Sequence, residues 1–490
     1  MARFYLVRIA AAWIALLPSR LPMLFVLATA PVLVFFALTT PAGEVPDEVA
    51  HIVRADSVRL GQVAGSRTIR LDAERGPVQV VVVRGDQGLF EAGFALSGNN
   101  LAAKQVTRAR MDVLLSKRWQ KPLATIEISN TGVYPPILYA PAALGLQITK
   151  WSGLGPSAAI IGARLANVLA YLLLGSAALR LALRGRTILF ALLCLPMSLF
   201  LAGSVSQDGV AIACGALAGA LLTRPTRRAW WTGVAALSVV VMAKPYLLPL
   251  ALIVPAAMPI MGRRDAARAL VGLAAAAMPA IIWGAAMALF VAAPFQHGAE
   301  PAGPLWTGAP GYVVSATDPG AQLHILLAVP SRLLTLPLEE AWVHGTGHWH
   351  EFIGALGQLD IPLSNNLYRT WGWILLASLL AGFVGTRRAR PAVPALPALA
   401  AWASVVMSLW LVFILQYLSW THVGAAVIDG VQGRYFIPVA AIGLPVLTLP
   451  IVRLPTGSIV RVALSLPVIA MAFGGIGLLP LLTLWAYYVR

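Results

Sequence analysis

The stretch PDEVAHIVRA, residues 46–55, places two adjacent carboxylates and a histidine directly after a run of apolar residues. Asp47 and Glu48 are the carboxylates, and His51 follows about one helical turn later. A carboxylate can take a proton from a reacting hydroxyl group, and a pair of carboxylates can hold a divalent cation with oxygen ligands. Neighbouring side chains in a helix point about 100° apart, so we expect Asp47 and Glu48 to have different roles.

Two other interpretations of this stretch are open at this point. Asp47 follows Pro46, which suits the start of a helix, and its side chain could do no more than cap that helix. Glu48 and His51 form an E-x-x-H motif, which occurs as a pair in di-iron bundles. The chain has no second copy of that motif, so the sequence does not favour a di-iron site.

The composition identifies the broad class of protein. Of the 490 residues, 59% are hydrophobic and only 11% are charged, whereas a soluble domain carries about 25% charged residues. The mean hydropathy is +0.79. The first apolar run, residues 21–40, is too long for the core of a signal peptide and is expected to remain as a span. The chain is therefore predicted to be an all-α polytopic membrane protein.

Hydrophobic runs predict about eleven transmembrane helices, some of them shorter than the roughly 20 residues that a span needs. The predicted spans are 21–40, 157–179, 188–204, 209–223, 229–243, 246–261, 269–293, 367–384, 395–418, 435–452 and 462–488. The predicted organisation is a cytoplasmic segment 1–20, a first span 21–40, an extracytoplasmic loop 41–156, six spans in 157–293, a second extracytoplasmic loop 294–366, and four spans in 367–490.

Basic residues orient these spans. The N-terminal segment and alternate short loops hold 17 basic residues against one acid, Asp265. The positive-inside rule makes that side cytoplasmic, with the N-terminus inside and, after eleven spans, the C-terminus outside. The net charge of +17 is thus a topology signal and does not indicate nucleic-acid binding.

The long polar segments fall on the outer side and hold all seven histidines. Residues 66–86 alternate β-branched runs around a Gly-Pro turn and predict a hairpin. Residues 101–120 have helical spacing, and residues 134–151 predict a helix lying at the membrane interface. If residues 134–151 formed a span instead, every later assignment would reverse, but the arginine pattern argues against that. We expect a small mixed α/β extracytoplasmic segment here.

Three ionisable residues are predicted where spans meet the outer surface: Asp208, Lys244 and Arg434. Charged groups at membrane depth are costly and usually have partners or a task. The simpler interpretation is that each is a loop charge near the lipid headgroups. Their position on one face with Asp47 and Glu48 makes that interpretation weaker.

Histidines and cysteines give weaker signals. The segment HGTGHWHE, residues 344–351, has spacing that can bind zinc, but its glycines favour a solvated loop or an interfacial patch. Cys194 and Cys214 both lie in predicted spans and are expected to be small buried hydrophobic residues.

Six stretches in this order resemble one bacterial family of predicted multi-span membrane proteins of unknown function, the domain-of-unknown-function 2142 family. They are PDEVAHIVRA, NTGVYPPILYAPAALG, SQDGVAIA, AKPYLLPL, GALGQLDIPLS and GVQGRYFIPVA. That family more distantly resembles the GT-C class of membrane glycosyltransferases, which carry an acidic motif just after the first span. The resemblance implies a GT-C-like fold. It implies catalytic roles for Asp47, Glu48 and His51, and substrate-binding roles for further residues, namely Asp208, Lys244, Arg434, Tyr134, Tyr139, Gln432 and Asp360.

The resemblance implies transfer of a sugar from a polyprenyl-phosphate carrier to a cell-envelope glycan or lipid. Asp47 would be the base, Glu48 a metal or acceptor contact, and His51 a supporting hydrogen-bond partner. Lys244 and Arg434 would stabilise the phosphate leaving group. No cofactor is certain, although a divalent cation could join the carboxylates. A transporter or flippase, or a non-catalytic component of envelope-polysaccharide assembly, is the alternative, but no internal repeat of the transporter kind is found.

Overall fold

The computed structural model describes residues 2–73, 76–98, 103–258, 266–385, 395–448, 452–453 and 457–489, and the fold is mostly helical. The helices are α1 Ala2–Thr39, α2 Glu48–Arg59, α3 Gln87–Phe94, α4 Arg108–Ser116, α5 Ala140–Trp151, α6 Pro156–Leu181, α7 Arg186–Leu193, α8 Pro196–Ala202, α9 Gln207–Leu222, α10 Arg227–Ala243, α11 Ile253–Ala256, α12 Ala266–Phe290, α13 Pro319–Ala328, α14 Arg332–Ile353, α15 Asn365–Phe383, α16 Ala395–Ser419, α17 Phe436–Leu447, α18 Gly457–Gly474 and α19 Leu479–Leu484. Short 3₁₀ turns cover Ile137–Tyr139, Pro245–Leu252, Gly433–Tyr435 and Ile476–Leu478, and a π turn covers Trp485–Val489.

The strands form one three-stranded antiparallel sheet and three two-stranded pairs among the described residues. The strands are β1 Ser66–Asp72, β2 Gly76–Gly85, β3 Ala124–Glu127, β4 Gln296–Pro301, β5 Val313–Ala316, β6 Ala355–Leu356, β7 Ile361–Pro362, β8 Val384–Gly385 and β9 Val452–Arg453. The predicted hairpin is confirmed: Ser66 pairs with Val82 and Asp72 with Gly76. β3 pairs antiparallel with strand β2 of this hairpin, which the sequence did not indicate.

Helix lengths support a polytopic membrane protein but not the full number of predicted spans. Within the described residues, five helices are long and apolar enough to cross a membrane, and the number is seven if each of two bent helix pairs is one crossing. The long helices lie in Arg20–Thr39, Pro156–Leu181, Ala266–Phe290, Pro397–Ser419 and Val462–Val489. Parts of two basic loops used for orientation, residues 259–265 and 386–394, lie outside the described residues.

Prolines account for several of the shorter helices. The predicted span 188–204 is two helices, α7 and α8, because Pro196 cannot continue the hydrogen bonding of α7. The predicted span 246–261 is a 3₁₀ turn followed by the four-residue helix α11, with Pro249 inside the 3₁₀ turn. α8 and α9 meet at 119°, and α13 and α14 meet at 108°.

The central helix of the bundle is α9, which packs against α6, α10 and α17. Its side chains are small, and this lets neighbouring backbones approach closely, as is common between membrane helices. A methyl group on Gly219 would lie 2.6 Å from the carbonyl oxygen of Ile442 in α17, and one on Gly209 would lie 2.5 Å from Ala202 in α8. Because both neighbours are fixed so tightly, the first turn of α9, which contains Asp208, has a defined position.

The segment 41–156 folds over one end of the bundle as a mixture of helices and strands. Of the predicted helix 101–120, the structure forms only Arg108–Ser116. The predicted interfacial helix is α5, which packs on α6 and exposes Leu144, Ile148 and Trp151. Twelve residues are too few to span a bilayer, so α5 does not reverse the topology.

A buried ion pair fastens this segment to the bundle. The Glu48 carboxylate accepts two hydrogen bonds from Arg164 of α6, at 2.8 and 2.7 Å, and two more from the backbone N–H groups of Gly43 and Val205. The same guanidinium donates to the carbonyl oxygens of Ala37, Thr40 and Pro41, at the end of α1. One pair therefore joins the end of α1, the start of α2, α6 and the turn before α9.

We predict that Glu48→Gln lowers the free energy of unfolding by about 3–5 kcal/mol, because it leaves a buried guanidinium without its counter-charge. The control is Glu91→Gln, which removes the partly exposed pair with Lys117 and should cost less than about 1 kcal/mol. Denaturant titration of both variants in detergent measures the difference. Equal costs for the two variants would show that the Glu48–Arg164 pair has no special structural role.

Candidate functional site

Four charged residues from distant parts of the chain meet at one end of the bundle. Asp47 precedes α2, Asp208 lies in the first turn of α9, Lys244 ends α10, and Arg434 lies in the 3₁₀ turn before α17. Each is held where a helix begins or ends. Pro245 stops α10 directly after Lys244, so this side chain projects from a helix end.

These four residues form a continuous series of ion pairs, which we call the ion-pair chain. Lys244 Nζ lies 2.6 Å from Asp208 Oδ1, and Arg434 Nη1 lies 3.6 Å from Asp208 Oδ2. The other terminal nitrogen of Arg434 lies 2.7 Å from Asp47 Oδ2. Two cations and two carboxylates alternate, so the chain has no net charge. The two predicted phosphate-binding cations thus flank a single carboxylate.

Exposure separates Asp47 from the other three residues. Its side chain is 43% exposed, whereas those of Asp208, Lys244 and Arg434 are 9%, 7% and 2% exposed. Asp47 also has a left-handed backbone, with φ 60°, which is uncommon for a non-glycine residue and concentrates at functional sites. Its side chain makes no capping hydrogen bond. The capping interpretation is therefore wrong, and the carboxylate is directed to Arg434 instead.

The charge state of Asp47 follows from its surroundings. Burial has the largest single effect and raises the pKa of the carboxyl, but the electrostatic and hydrogen-bonding effects of its neighbours, Arg434 foremost, together outweigh it, so the pKa lies below its usual value. Asn130 donates a hydrogen bond to Asp47 Oδ1 at 3.3 Å. At neutral pH the site thus presents an ionised carboxylate whose two oxygens are both oriented.

Aromatic residues border the ion-pair chain. Lys244 Nζ lies 5.2 Å from the centre of the Tyr134 ring, and His51 stacks on the same ring. His51 Nδ1 shares a hydrogen bond of 2.6 Å with the Tyr139 hydroxyl group. Burial lowers the pKa of His51 to about 4, so the imidazole is neutral at pH 7. The hydrogen bond of His51 supports Tyr139, whereas the sequence led us to expect support for Asp47.

Several buried polar atoms beside the ion-pair chain have no hydrogen-bond partner among the described residues. They include Tyr246 Oη, Gln432 Oε1, Arg434 Nε and both amide atoms of Gln207. Buried polar groups are nearly always paired with protein or water. These atoms can therefore bind a ligand or water without any existing hydrogen bond being broken.

Two predicted site residues have other partners. Glu48 is fully buried and pairs with Arg164. These surroundings favour a structural role for Glu48 over the predicted contact with a metal or acceptor. Asp360 pairs with Lys104 Nζ at 2.8 Å, and Lys104 also pairs with Glu44. Asp360 thus fastens the turn between β6 and β7 to the segment that follows α1.

The histidine-rich segment is part of helix α14, so of the two expectations, a solvated loop or an interfacial patch, the loop is wrong. His344 Nδ1 and His348 Nε2 each lie 3.0 Å from Glu340 Oε1 on one face of α14. Glu351 accepts a 2.7 Å hydrogen bond from the backbone N–H of Gly433, beside Arg434. The Glu340, His344 and His348 spacing of four residues predicts this shared face. Within the described ranges, no group of three or more His, Cys, Asp or Glu side chains could hold a metal ion.

An open cleft of about 290 Å³ borders Asp47. Other residues of its wall are Phe90, Phe94, Glu127, Asn130 and Gln358. Sequence reasoning did not select these residues, because nothing in their spacing links them to residue 47. The β2–β3 pairing brings Glu127 and Asn130 to this position.

We predict strong energetic coupling within the ion-pair chain. Lys244→Met and Asp208→Asn should each cost about 3–5 kcal/mol, because each leaves a buried charge short of a partner. The double variant should cost less than the sum of the two by about 1–3 kcal/mol. Unfolding titrations of the four proteins measure this coupling. The control is the partly exposed pair of Lys117 and Glu91, for which we expect a coupling energy below about 1 kcal/mol. An equally small coupling energy between Lys244 and Asp208 would show that these two residues do not form a buried ion pair.

Residues 31–442 match the model of a family described as "Predicted membrane protein (DUF2142)". All six stretches that carry the resemblance lie within the matched residues. No curated protein and no solved structure matches the chain.

Proposed function

The chain belongs to this family of predicted membrane proteins, and we propose that it transfers a sugar from a polyprenyl-phosphate carrier to a cell-envelope glycan or lipid. One observation carries the proposal: an exposed carboxylate, Asp47, is held by a buried arginine that is itself part of a paired cationic site. A transferase of this kind needs a proton acceptor on one side of the reacting carbon and phosphate-binding groups on the other.

The phosphate side consists of Arg434, Lys244 and Tyr246. Both cations are already paired with carboxylates, so a phosphate would not meet two free positive charges. Arg434 Nε and the Tyr246 hydroxyl have hydrogen-bonding capacity that the described residues leave unused. Oriented donors in a buried site stabilise charge that develops on a leaving group. These donors support binding of the carrier phosphate beside the ion-pair chain.

The proposed step uses Asp47 as the general base. The acceptor hydroxyl gives its proton to the Asp47 carboxylate while its oxygen forms a bond with the anomeric carbon of the donor sugar. The bond from that carbon to the phosphate oxygen breaks, and its electron pair leaves with the lipid phosphate. Arg434 orients Asp47 and contacts the leaving phosphate. Glu48 positions the loop, and neutral His51 supports Tyr139. No step requires a divalent cation.

Charge distribution supports an extracytoplasmic location for this site in a bacterial inner membrane. The ion-pair chain lies at helix ends opposite the arginine-rich loops 180–186 and 224–228. A donor linked to a membrane lipid would present its phosphate near the headgroups, at the depth of these helix ends. The N-terminus would then be cytoplasmic.

A transporter or flippase for the lipid-linked sugar is the second candidate, because buried ion pairs also occur on transport pathways. The ion-pair chain is clustered at one end of the bundle, and this favours surface chemistry over passage through the middle. A non-catalytic assembly component would not need the exposed left-handed Asp47. The flippase and the transferase differ in which intermediate accumulates when the site is lost.

We predict that Asp47→Asn lowers the rate of sugar transfer about 10²–10⁴-fold without loss of the folded protein. Asparagine adopts left-handed backbone readily, so the loop should keep its shape while the base is lost. Asp112→Asn, at an exposed position of α4, is the control and should transfer at the normal rate.

The measurement uses membrane vesicles from a deletion strain that carries each variant at equal level. Radiolabelled sugar nucleotides feed the endogenous polyprenyl-linked pool, and the initial rate of label transfer to envelope glycan is followed. The transferase proposal expects labelled carrier to accumulate on the outer leaflet in Asp47→Asn. Full transfer by this variant would refute the assignment of the base, and accumulation on the inner leaflet alone would favour the flippase.

A further inference from the structure

The cleft beside Asp47 has a wall whose charged residues are of one sign. Its ionisable lining residues are all acidic: Asp47, Glu48 and Glu127. No Lys, Arg or His lines it among the residues that the structure describes. The cations that neutralise Asp47 and Glu48 are Arg434 and Arg164, each with a side chain only 2% exposed. Glu48 is fully buried, so a molecule in the cleft meets the exposed carboxylate of Asp47 and not the Arg434 cation behind it.

Glu127 is the second exposed carboxylate that lines the cleft, and its partner Arg70, although 51% exposed, is not part of the lining. Its side chain is 38% exposed and lies 3.2 Å from Arg70. Arg70 is shared, because its other terminal nitrogen lies 3.5 Å from Asp72. The cleft is thus faced by the Glu127 carboxylate and not by the guanidinium with which it pairs. An anionic group would be repelled from both ends of the cleft, by Asp47 and by Glu127.

The remaining polar groups of the cleft are amides. Asn130 is exposed and contacts Asp47, and Gln358 is exposed and donates to the backbone carbonyl oxygens of Gly43 and Val45. Carboxylate and amide oxygens accept hydrogen bonds from hydroxyl groups, and the amide nitrogens donate to them. This mixture matches a ligand with many hydroxyl groups and no negative charge.

An aromatic pair completes the cleft. Phe90 and Phe94 are 5.0 Å apart in an edge-to-face arrangement, and Phe94 is 50% exposed. An exposed ring next to hydrogen-bonding groups offers an apolar surface for the C–H face of a sugar ring. The volume of about 290 Å³ is at the small end of ligand sites, so the cleft fits a short saccharide end and not a lipid-linked oligomer.

We propose that this cleft is the acceptor subsite and that it binds an uncharged saccharide, excluding uronic acids and phosphorylated sugars. The site thereby divides its two substrates by charge: the anionic carrier binds on the side of Arg434 and Tyr246, and the neutral acceptor binds on the side of Glu127 and Phe94. The acceptor role rests on the proposed function, but saccharide binding in the cleft does not.

The test is saturation-transfer NMR on the purified full chain in lipid nanodiscs. The probes are a set of neutral methyl hexosides and the matching methyl hexuronides, which differ only at the C6 carboxylate. We expect binding of at least one hexoside and about tenfold weaker binding of its hexuronide, from repulsion in a partly exposed site. Phe94→Ala should reduce hexoside binding several-fold, and Phe290→Ala, at an exposed position of α12, should not change it.

Removing the charge of one lining carboxylate tests whether electrostatic repulsion causes the preference for hexosides over hexuronides. Glu127→Gln should raise hexuronide binding and leave hexoside binding nearly unchanged, whereas Glu91→Gln, outside the cleft, should change neither. The proposal is wrong if hexuronides bind as well as hexosides, if no hexoside binds, or if binding does not depend on Phe94.

This result is separable from the proposed function. Asp47→Asn should still bind the hexoside, because its amide can hydrogen-bond to a hydroxyl group. If the protein binds hexosides in the cleft and Asp47→Asn still transfers sugar at the normal rate, the saccharide subsite is supported and Asp47 is not the catalytic base. If Asp47→Asn abolishes transfer and no hexoside binds, the catalytic role of Asp47 is supported and the saccharide subsite is wrong.

Discussion

The buried pair of Glu48 and Arg164 is the contact on which the site geometry depends. Arg164 satisfies carbonyl groups that the end of α1 leaves open, and Glu48 takes the backbone N–H of Val205, three residues before Asp208. Asp47 is the residue next to Glu48. One ion pair therefore fixes the positions of two residues of the ion-pair chain. Because both side chains are nearly or fully buried, this contact cannot relax through solvent when one partner is removed.

The ion-pair chain solves a problem that burial creates. Lys244 and Arg434 lie at helix ends with side chains only 7% and 2% exposed, where an unpaired charge is costly. Asp208 pairs with both cations, and Arg434 also holds Asp47, in an uncommon backbone conformation at the surface, so two carboxylates balance two cations. Charge pairing in the interior thus supports a reactive group at the exterior. Because the cations are already paired, an anionic ligand would bind through hydrogen-bond donors that have no partner among the described residues, such as Arg434 Nε and the Tyr246 hydroxyl.

Sequence reasoning could find the members of the ion-pair chain because three of them lie at the ends of hydrophobic runs that the arginine pattern orients. It also predicted different roles for Asp47 and Glu48 from their angular separation in a helix, but that premise was wrong, since α2 begins at Glu48 and Asp47 has a left-handed backbone. It could not tell which of the two is buried, since that depends on Arg164, a residue 116 positions away. Asn130 and Glu127 were missed for the same reason. Helix breaks at Pro196 and Pro249 were missed because hydropathy averages over them.

The position at which a carrier phosphate binds decides whether the ion-pair chain is the donor site. A structure of the full chain in nanodiscs with a long-chain polyprenyl phosphate would locate it. We expect the phosphate oxygens within about 2.7–2.9 Å of Arg434 and near the Tyr246 hydroxyl, with Asp47 still held at the cleft. A phosphate bound only elsewhere, for example beside the arginine-rich loops, with the ion-pair chain unchanged, would show that the ion-pair chain is not the carrier site.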